Sequence, residues 1–248
     1  MQRAIDLNCD LGEGAGQDAE LMPLITSANI ACGAHAGDAA TMRATIALAQ
    51  KHGVAIGAHP GFADKVNFGR KELNLPAAEM AAAVVEQIQA LQQIAAEASA
   101  RVRHVKLHGA LYNLAARDAR LAQAIVDAIR VTEKNLILYV LAGSELERVA
   151  RAKGHGMVVA EVFSDRTYQA DGSLTPRAWP DALIHDEAQA VAQVLRMVRE
   201  GVVRATDGTE VPIRADTVCV HGDGPQAVAV ARRLRASLEE AGVVLRAP

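Results

Sequence analysis

Asn29-Ile30-Ala31-Cys32-Gly33-Ala34-His35-Ala36-Gly37-Asp38 reads as a short apolar strand that turns, presents a histidine and passes into a helix. Glycines at 33 and 37 permit the tight turn and leave the imidazole uncovered. Asp38 is a good N-cap for a helix beginning near Ala39. The same device recurs at Gly57-Ala58-His59-Pro60-Gly61, at Lys106-Leu107-His108-Gly109 and at Val220-His221-Gly222-Asp223. One histidine after a strand means little. Four of them predict strand ends that face a common pocket.

Strand-like runs fall at residues 4–9, 28–32, 55–58, 102–107, 136–141, 157–163 and 217–220, with a short candidate at 243–245. Helical patterns lie between them at 17–26, 39–52, 77–98, 119–132, 145–153, 186–200 and 226–241, with Pro76 and Pro225 as start signals. This alternation predicts parallel strands joined by helical crossovers. Seven or eight such units in 248 residues fit an irregular (β/α)7-8 barrel forming one domain over 1–248. An open doubly wound sheet is the alternative, but Leu11-Gly12-Glu13-Gly14-Ala15-Gly16 lacks the glycine spacing of a dinucleotide turn. Two segments interrupt the pattern. Residues 202–213 read as a hairpin turning at Thr206-Asp207-Gly208, and 164–184 form a long polar loop of the functional kind.

Strand parity sorts the polar residues. Asp6, Asn8 and Asp10 share one face of the first strand; His104, Lys106 and His108 share one face of the fourth. Glu161 lies with Val159 and Phe163, and His221 and Asp223 lie with Cys219. In a barrel the apolar faces meet the helices, so these polar faces point inward and open at the strand C-terminal ends. A buried hydrogen-bonded network is a sufficient account of Asp6 and His104. For the whole set it is a poor one, because each unpaired buried ion costs several kcal/mol.

Asp10, His35, His59 and His108 have the donor chemistry for a divalent metal, although no HxH or HExxH spacing fixes two of them in register. The same groups could instead serve as general acid and base around a carbonyl carbon, with Lys106 stabilising a carboxylate or oxyanion. The sequence leaves both open. Arg70 is a candidate for an anionic substrate, and Asp165, Arg166 and Arg177 are placed to close over the pocket. His52, His155 and His185 read as ordinary surface residues. No Gly-x-Ser-x-Gly elbow and no Gly-Lys-Ser/Thr phosphate loop is present.

The totals narrow the class further. A net charge of −3 gives no case for nucleic acid or membrane binding. Half the residues are hydrophobic but only 3% are aromatic, so small aliphatic side chains must fill the core. Three widely spaced cysteines outside any CxxC read as reduced, buried thiols. Met1-Gln2-Arg3-Ala4-Ile5-Asp6 does not read as a signal peptide, and no run approaches transmembrane length, which predicts a cytoplasmic protein.

Asp6-Leu7-Asn8-Cys9-Asp10-Leu11-Gly12-Glu13, Asn29-Ile30-Ala31-Cys32-Gly33, His35-Ala36-Gly37-Asp38, Gly57-Ala58-His59-Pro60-Gly61, His108-Gly109-Ala110-Leu111-Tyr112-Asn113 and His221-Gly222-Asp223 together resemble the LamB/YcsF family. The motifs run in order from the first strand to the last helix. The resemblance implies a barrel related to the glycoside hydrolase/deacetylase group. It also implies the role of the A subunit of ATP-dependent 5-oxoprolinase, opening the lactam of 5-oxoproline (pyroglutamate) to L-glutamate together with subunits B and C. On that reading Asp10, His35, His59, Lys106 and His108 are the catalytic candidates. Asn8, Arg70, Glu161, Asp165, Arg166, His221 and Asp223 are the candidates for substrate binding. The absent phosphate loop fits ATP being handled with the partner subunits. A stand-alone metal-dependent amidase or deacetylase is one alternative; a non-catalytic docking subunit is the other.

Overall fold

The computed structural model describes residues 4–222, 224 and 226–248. Its strands are β1 (Ala4–Leu11), β2 (Ser27–Ala31), β3 (Ala55–His59), β4 (Val102–Lys106), β5 (Ile137–Leu141), β6 (Val158–Phe163), the hairpin pair β7 (Val202–Arg204) and β8 (Glu210–Pro212), then β9 (Thr217–His221) and β10 (Val244–Leu245). The helices are α1 (Asp18–Leu21), α2 (Ala39–His52), α3 (Ala77–Glu97), α4 (Gly109–Arg117), α5 (Ala119–Thr132), α6 (Glu145–Ala152), α7 (Glu187–Glu200) and α8 (Ala227–Glu240).

Strands β1 to β6 pair in sequence order, β9 pairs with β6, and β9 returns to β1, so seven parallel strands close a barrel. Asp6 to Asp10 of β1 stand beside Thr217 to His221 of β9 at the seam. The short β10 pairs only with Ala4 and Ile5 at the start of β1 and adds no stave. β7 and β8 form an antiparallel hairpin outside the ring.

Local sequence explains the helices. Asp38, Asp118, Ser144 and Asp186 accept hydrogen bonds from first-turn amides of α2, α5, α6 and α7, replacing partners that a helix start lacks. Gly53 and Gly201 end α2 and α7 in left-handed conformation (φ 68° and 70°). In α5, Leu121, Ala122, Ile125, Val126 and Ile129 form one buried face at helical spacing. The helix expected over 17–26 is shorter: α1 covers four residues and a 3-10 turn, Met22–Leu24, follows, because Pro23 has no amide to continue the ladder. Helix α4, which the sequence pattern did not reveal, begins directly after His108.

The barrel separates two interiors. Ile5, Leu7, Cys9 and Leu11 of β1 belong to the apolar shell beneath the helices. Asp6, Asn8 and Asp10 point the other way and are also buried. Asp6 accepts hydrogen bonds from the hydroxyls of Thr26 (2.6 Å), Ser27 (2.7 Å) and Thr217 (2.6 Å), which ties β1 to β2 and β9. Burial raises its pKa despite those bonds. Cys9, Cys32 and Cys219 are free and buried. His155 departs from the surface expectation: it is buried, with Nε2 2.8 Å from the Leu136 carbonyl. Among the described residues no helix is long and apolar enough to cross a membrane.

Candidate active site

Lys106 occupies the centre of the barrel. Its ammonium lies 2.8 Å from Asp10 Oδ1, 2.9 Å from Glu161 Oε1 and 3.0 Å from Cys219 Sγ. Glu161 is further held by Asn8 Nδ2 at 3.0 Å and by the Tyr112 hydroxyl, which donates at 2.7 Å. Asp10 Oδ1 also accepts from Asn29 Nδ2 at 2.8 Å. Burial penalises each of these charges, but two carboxylates around one ammonium outweigh it, and the Lys106 pKa rises well above its ordinary value. Lys106 is therefore a fixed cation, not a neutral amine poised for nucleophilic attack.

Beside it stand three imidazoles and a carboxylate. His35 comes from the turn after β2, His59 ends β3, His108 follows β4, and Glu13 lies in the turn after β1. Glu13 Oε1 is 3.1 Å from His35 Nε2, 3.2 Å from His108 Nδ1 and 3.7 Å from His59 Nε2. The His35 and His108 rings stack with centroids 3.7 Å apart. His59 Nδ1 faces the Lys106 carbonyl at 2.9 Å, and His108 Nε2 faces the Phe68 carbonyl at 2.9 Å. A carbonyl only accepts, so both of those nitrogens carry protons. The remaining nitrogens, His59 Nε2 and His108 Nδ1, lie 2.9 Å apart and point into the cluster.

Backbone geometry makes this packing possible. A Cβ on Gly61 would stand 2.9 Å from His35 Nδ1, and one on Gly69 would stand 2.8 Å from His35 Cβ. Phe68, at φ 54°, is a non-glycine residue in the left-handed region, and its carbonyl is the one that meets His108. Burial pushes the His35 pKa down to about 4. Burial also lowers that of His108, whereas at His59 the Asp10 carboxylate outweighs burial and raises it.

The third group comes from β9 and the long loop. His221 Nδ1 lies 2.8 Å from both carboxylate oxygens of Asp165, and its Nε2 accepts from Arg177 at 3.0 Å. Burial opposes ionisation of Asp165, but the neighbouring His221 prevails and lowers its pKa. Arg166 is buried and donates to the carbonyls of Ala182 (3.4 Å) and Thr175 (2.5 Å); burial drops its pKa to about 10. Antiparallel bridges Arg166–Leu183 and Tyr168–Leu174, with the Phe163 amide donating to Tyr168 Oη at 2.8 Å, give the loop a fixed shape.

A chamber of about 40 Å³ is lined by Asp10, Glu13, His59, Lys106, His108 and His221, among others. It has room for about one water. Outside it a cleft of about 780 Å³ shares Arg70, Arg166 and Arg177 with the chamber and extends to Trp179. A comparable cavity of about 720 Å³ at the other end of β4 and β5, between Arg103 and Lys134, lies at the N-terminal strand ends, away from these groups.

Asp10, His35, His59, Lys106 and His108 are thus neighbours, as are Asp165 and His221. Asn8 and Glu161 sit deeper: both Asn8 amide atoms are engaged, to Glu161, Thr217, Asn29 and Lys106, so they brace the cation and do not face the chamber. Arg70 is exposed at the rim, its guanidinium 4.8 Å from the Phe68 ring centroid. Asp223 lies outside the described residues. Strand parity does not reach Glu13 and Tyr112, because neither is on a strand. An acid two residues past the end of β1, in a glycine turn, was the available signal for Glu13.

The sequence profile of the LamB/YcsF family matches residues 5–248. A curated relative from Bordetella pertussis, described as the A subunit of 5-oxoprolinase, is 54% identical with all of both chains covered. The crystal structure of a lactam utilization protein from Thermus thermophilus superposes with a TM-score of 0.91 at 46% identity, over 99% of this chain and 100% of that one. A peptidoglycan deacetylase from Bacillus subtilis shares the fold, with a TM-score of 0.51 at 14% identity over 99% of this chain and 87% of that one.

Proposed function

The chain belongs to the LamB/YcsF family, and from that premise we propose that it is the A subunit of an ATP-dependent 5-oxoprolinase and hosts the ring-opening step. The carrying observation is a single chamber lined by a fixed ammonium, by Glu13, His59 and His108 of the histidine–glutamate cluster, and by His221, which Asp165 holds from behind. The 54% identity, over the whole length, to a relative described as a 5-oxoprolinase component supports the substrate.

A five-membered lactam is an unstrained amide, so its hydrolysis is slow and near thermoneutral. Coupling to ATP removes that obstacle. Phosphorylation of the lactam oxygen makes the ring carbon electrophilic. One water adds to that carbon, the C–N bond breaks as the nitrogen takes a proton, and a second water releases phosphate from the resulting acyl phosphate to leave L-glutamate. Subunits B and C handle ATP, in keeping with the lack of a phosphate loop in this chain. We place the protein in the cytoplasm, where three free thiols stay reduced, and assign residues 1–248 to one domain.

Within the chamber, the cluster of Glu13, His35, His59 and His108, with Asp10 beside it, orients the attacking water. Lys106 sets a positive potential where negative charge grows in the transition state. Asp165 holds His221 with the Nε2 lone pair toward the chamber, the arrangement for taking a proton from the attacking water and then passing it to the departing nitrogen. Arg166, Arg177 and Arg70 bind the substrate carboxylate or its phosphoryl group. The chamber is smaller than a lactam ring, so Arg177 leaves His221 as substrate enters.

The test is glutamate release from 5-oxoproline with ATP, by this chain alone and with subunits B and C. Activity confined to the mixture is expected. Activity of the chain alone, without ATP, would replace this reading with a stand-alone amidase. Full activity of a mixture carrying His108→Ala would leave only a docking role.

A further inference from the structure

We infer that Glu13, His35, His59 and His108 form a binding site for one divalent ion of the zinc type. Each contributes one donor atom, and the four lie within 4.8 Å of one another. Three imidazole nitrogens and a carboxylate oxygen suit zinc or its borderline neighbours better than magnesium or calcium, which take oxygen ligands. Zinc–nitrogen bonds of about 2.0–2.1 Å imply donor–donor edges of about 3.3 Å in a tetrahedron. The separations found here, 2.9, 3.1, 3.2 and 3.7 Å, bracket that edge.

Two independent features point to a cation. The first is the outer hydrogen bonding. His59 and His108 each give the proton on their far nitrogen to a backbone carbonyl, which aims the other nitrogen of each ring inward. That is the support metal-bound imidazoles have. Two such nitrogens 2.9 Å apart require a positive charge between them, a proton or a metal ion. The second is the convergence itself: a shared proton needs two of these donors, whereas here four meet, and the His35 ring is pressed between Gly61 and the stacked His108.

Asp10 is not counted among the ligands. Its Oδ1 is engaged by Lys106 and Asn29, and its Oδ2 lies 3.4 Å from His59. The second grouping of donors in the barrel, Asp10, Cys219 and His221, already has the Lys106 ammonium 2.8 Å from Asp10 and 3.0 Å from Cys219, so a cation is in place. Glu13, His59 and His108 also line the chamber, so an ion they hold is open to it. These donors would hold the ion whatever the substrate.

The experiment strips the full chain with a chelator, then titrates ZnCl2 by competition calorimetry and records the visible spectrum with CoCl2. One ion per chain and the absorption of four-coordinate Co(II) are expected. His59→Ala and Glu13→Ala should each weaken zinc binding by about 100-fold with unchanged circular dichroism, while His221→Ala stays within about threefold. Absence of stoichiometric binding would overturn the site in favour of a shared proton. Loss in His221→Ala with Glu13→Ala unaffected would move the ion to Asp10, Cys219 and His221. Zinc bound as expected without any 5-oxoprolinase activity would count against the reaction alone.

Discussion

His221 presents its Nδ1 to both carboxylate oxygens of Asp165 at 2.8 Å, which settles the tautomer: the proton is on Nδ1 and the lone pair on Nε2. The ring is also stacked on Phe163 at a centroid distance of 5.5 Å, so its plane is fixed as well as its protonation. An imidazole held on both counts is a directed acid or base.

Asp165→Asn tests that relationship. An asparagine keeps the shape but can present its amide N–H to Nδ1, which favours the wrong tautomer. We predict a fall in kcat of about 10²–10⁴ in the reconstituted enzyme, with KM little changed, in line with general acid–base contributions of that size. A drop seen only in KM would mean that Asp165 acts on substrate binding.

Lys106→Met should be costly to the fold itself. It leaves Asp10 and Glu161 buried without their shared cation, and breaking a buried pair costs about 3–5 kcal/mol. Urea unfolding should show that loss. The double variant Lys106→Met/Glu161→Gln should recover part of it; no recovery would mean that the attraction between these groups is weaker than their geometry implies.

Gly57→Ala should also destabilise. The added Cβ would stand 2.0 Å from His104 Nε2, where no atom can be accommodated without expelling the ring. That nitrogen lies 2.8 Å from Asn29 Oδ1, and the ring is stacked on Tyr139 at 4.3 Å. A loss of about 1–3 kcal/mol, typical of overpacking, is expected in thermal or urea melts. A melt indistinguishable from the parent would show that the barrel floor yields more readily than its contacts suggest.

His104 further predicts a pH dependence. Burial lowers its pKa to about 3, against an ordinary value near 6.5. Between those values the unfolded chain binds a proton that the folded chain refuses, so stability falls as pH drops from about 6.5 toward 3. This group alone contributes up to about 1.4 kcal/mol per pH unit in that window. Comparing urea midpoints at about pH 7.5 and about pH 5, on either side of the ordinary value, should give a smaller drop for His104→Gln than for the parent. Equal drops would assign the acid sensitivity to other groups.

Most of this was legible in the chain because parity is rigid on a strand. Asp6, Asn8 and Asp10 could only share a face, and so could His104 and Lys106, which made a polar barrel interior readable from the residues alone. The strand ends carrying His35, His59, His108 and His221 were marked by glycines for the same local reason. What parity could not say is depth. Asn8 and Glu161 differ from Asp10 in being fully buried and not lining the chamber, which depends on how neighbouring side chains pack. Nor could it reach Glu13 and Tyr112, whose side chains arrive from a turn and from α4, where no two-residue repeat applies. The tautomers of His59 and His108 depend on the carbonyls of Lys106 and Phe68, and only the folded backbone brings those into place.

The seam between β1 and β9 also governs the order of assembly. Thr217 reaches back 211 positions to Asp6, and Asn8 reaches 209 positions forward to Thr217, so the strand that closes the barrel against β1 is translated long after β1 itself. Contacts of such high sequence separation pay their loop-closure entropy before they return anything. A nascent chain therefore carries β1 with one edge open, and Asp6 without the Thr217 hydroxyl, until the ninth strand clears the ribosome. Stalled chains ending before residue 217 should be readily cut by protease, and chains that extend past α8 should resist.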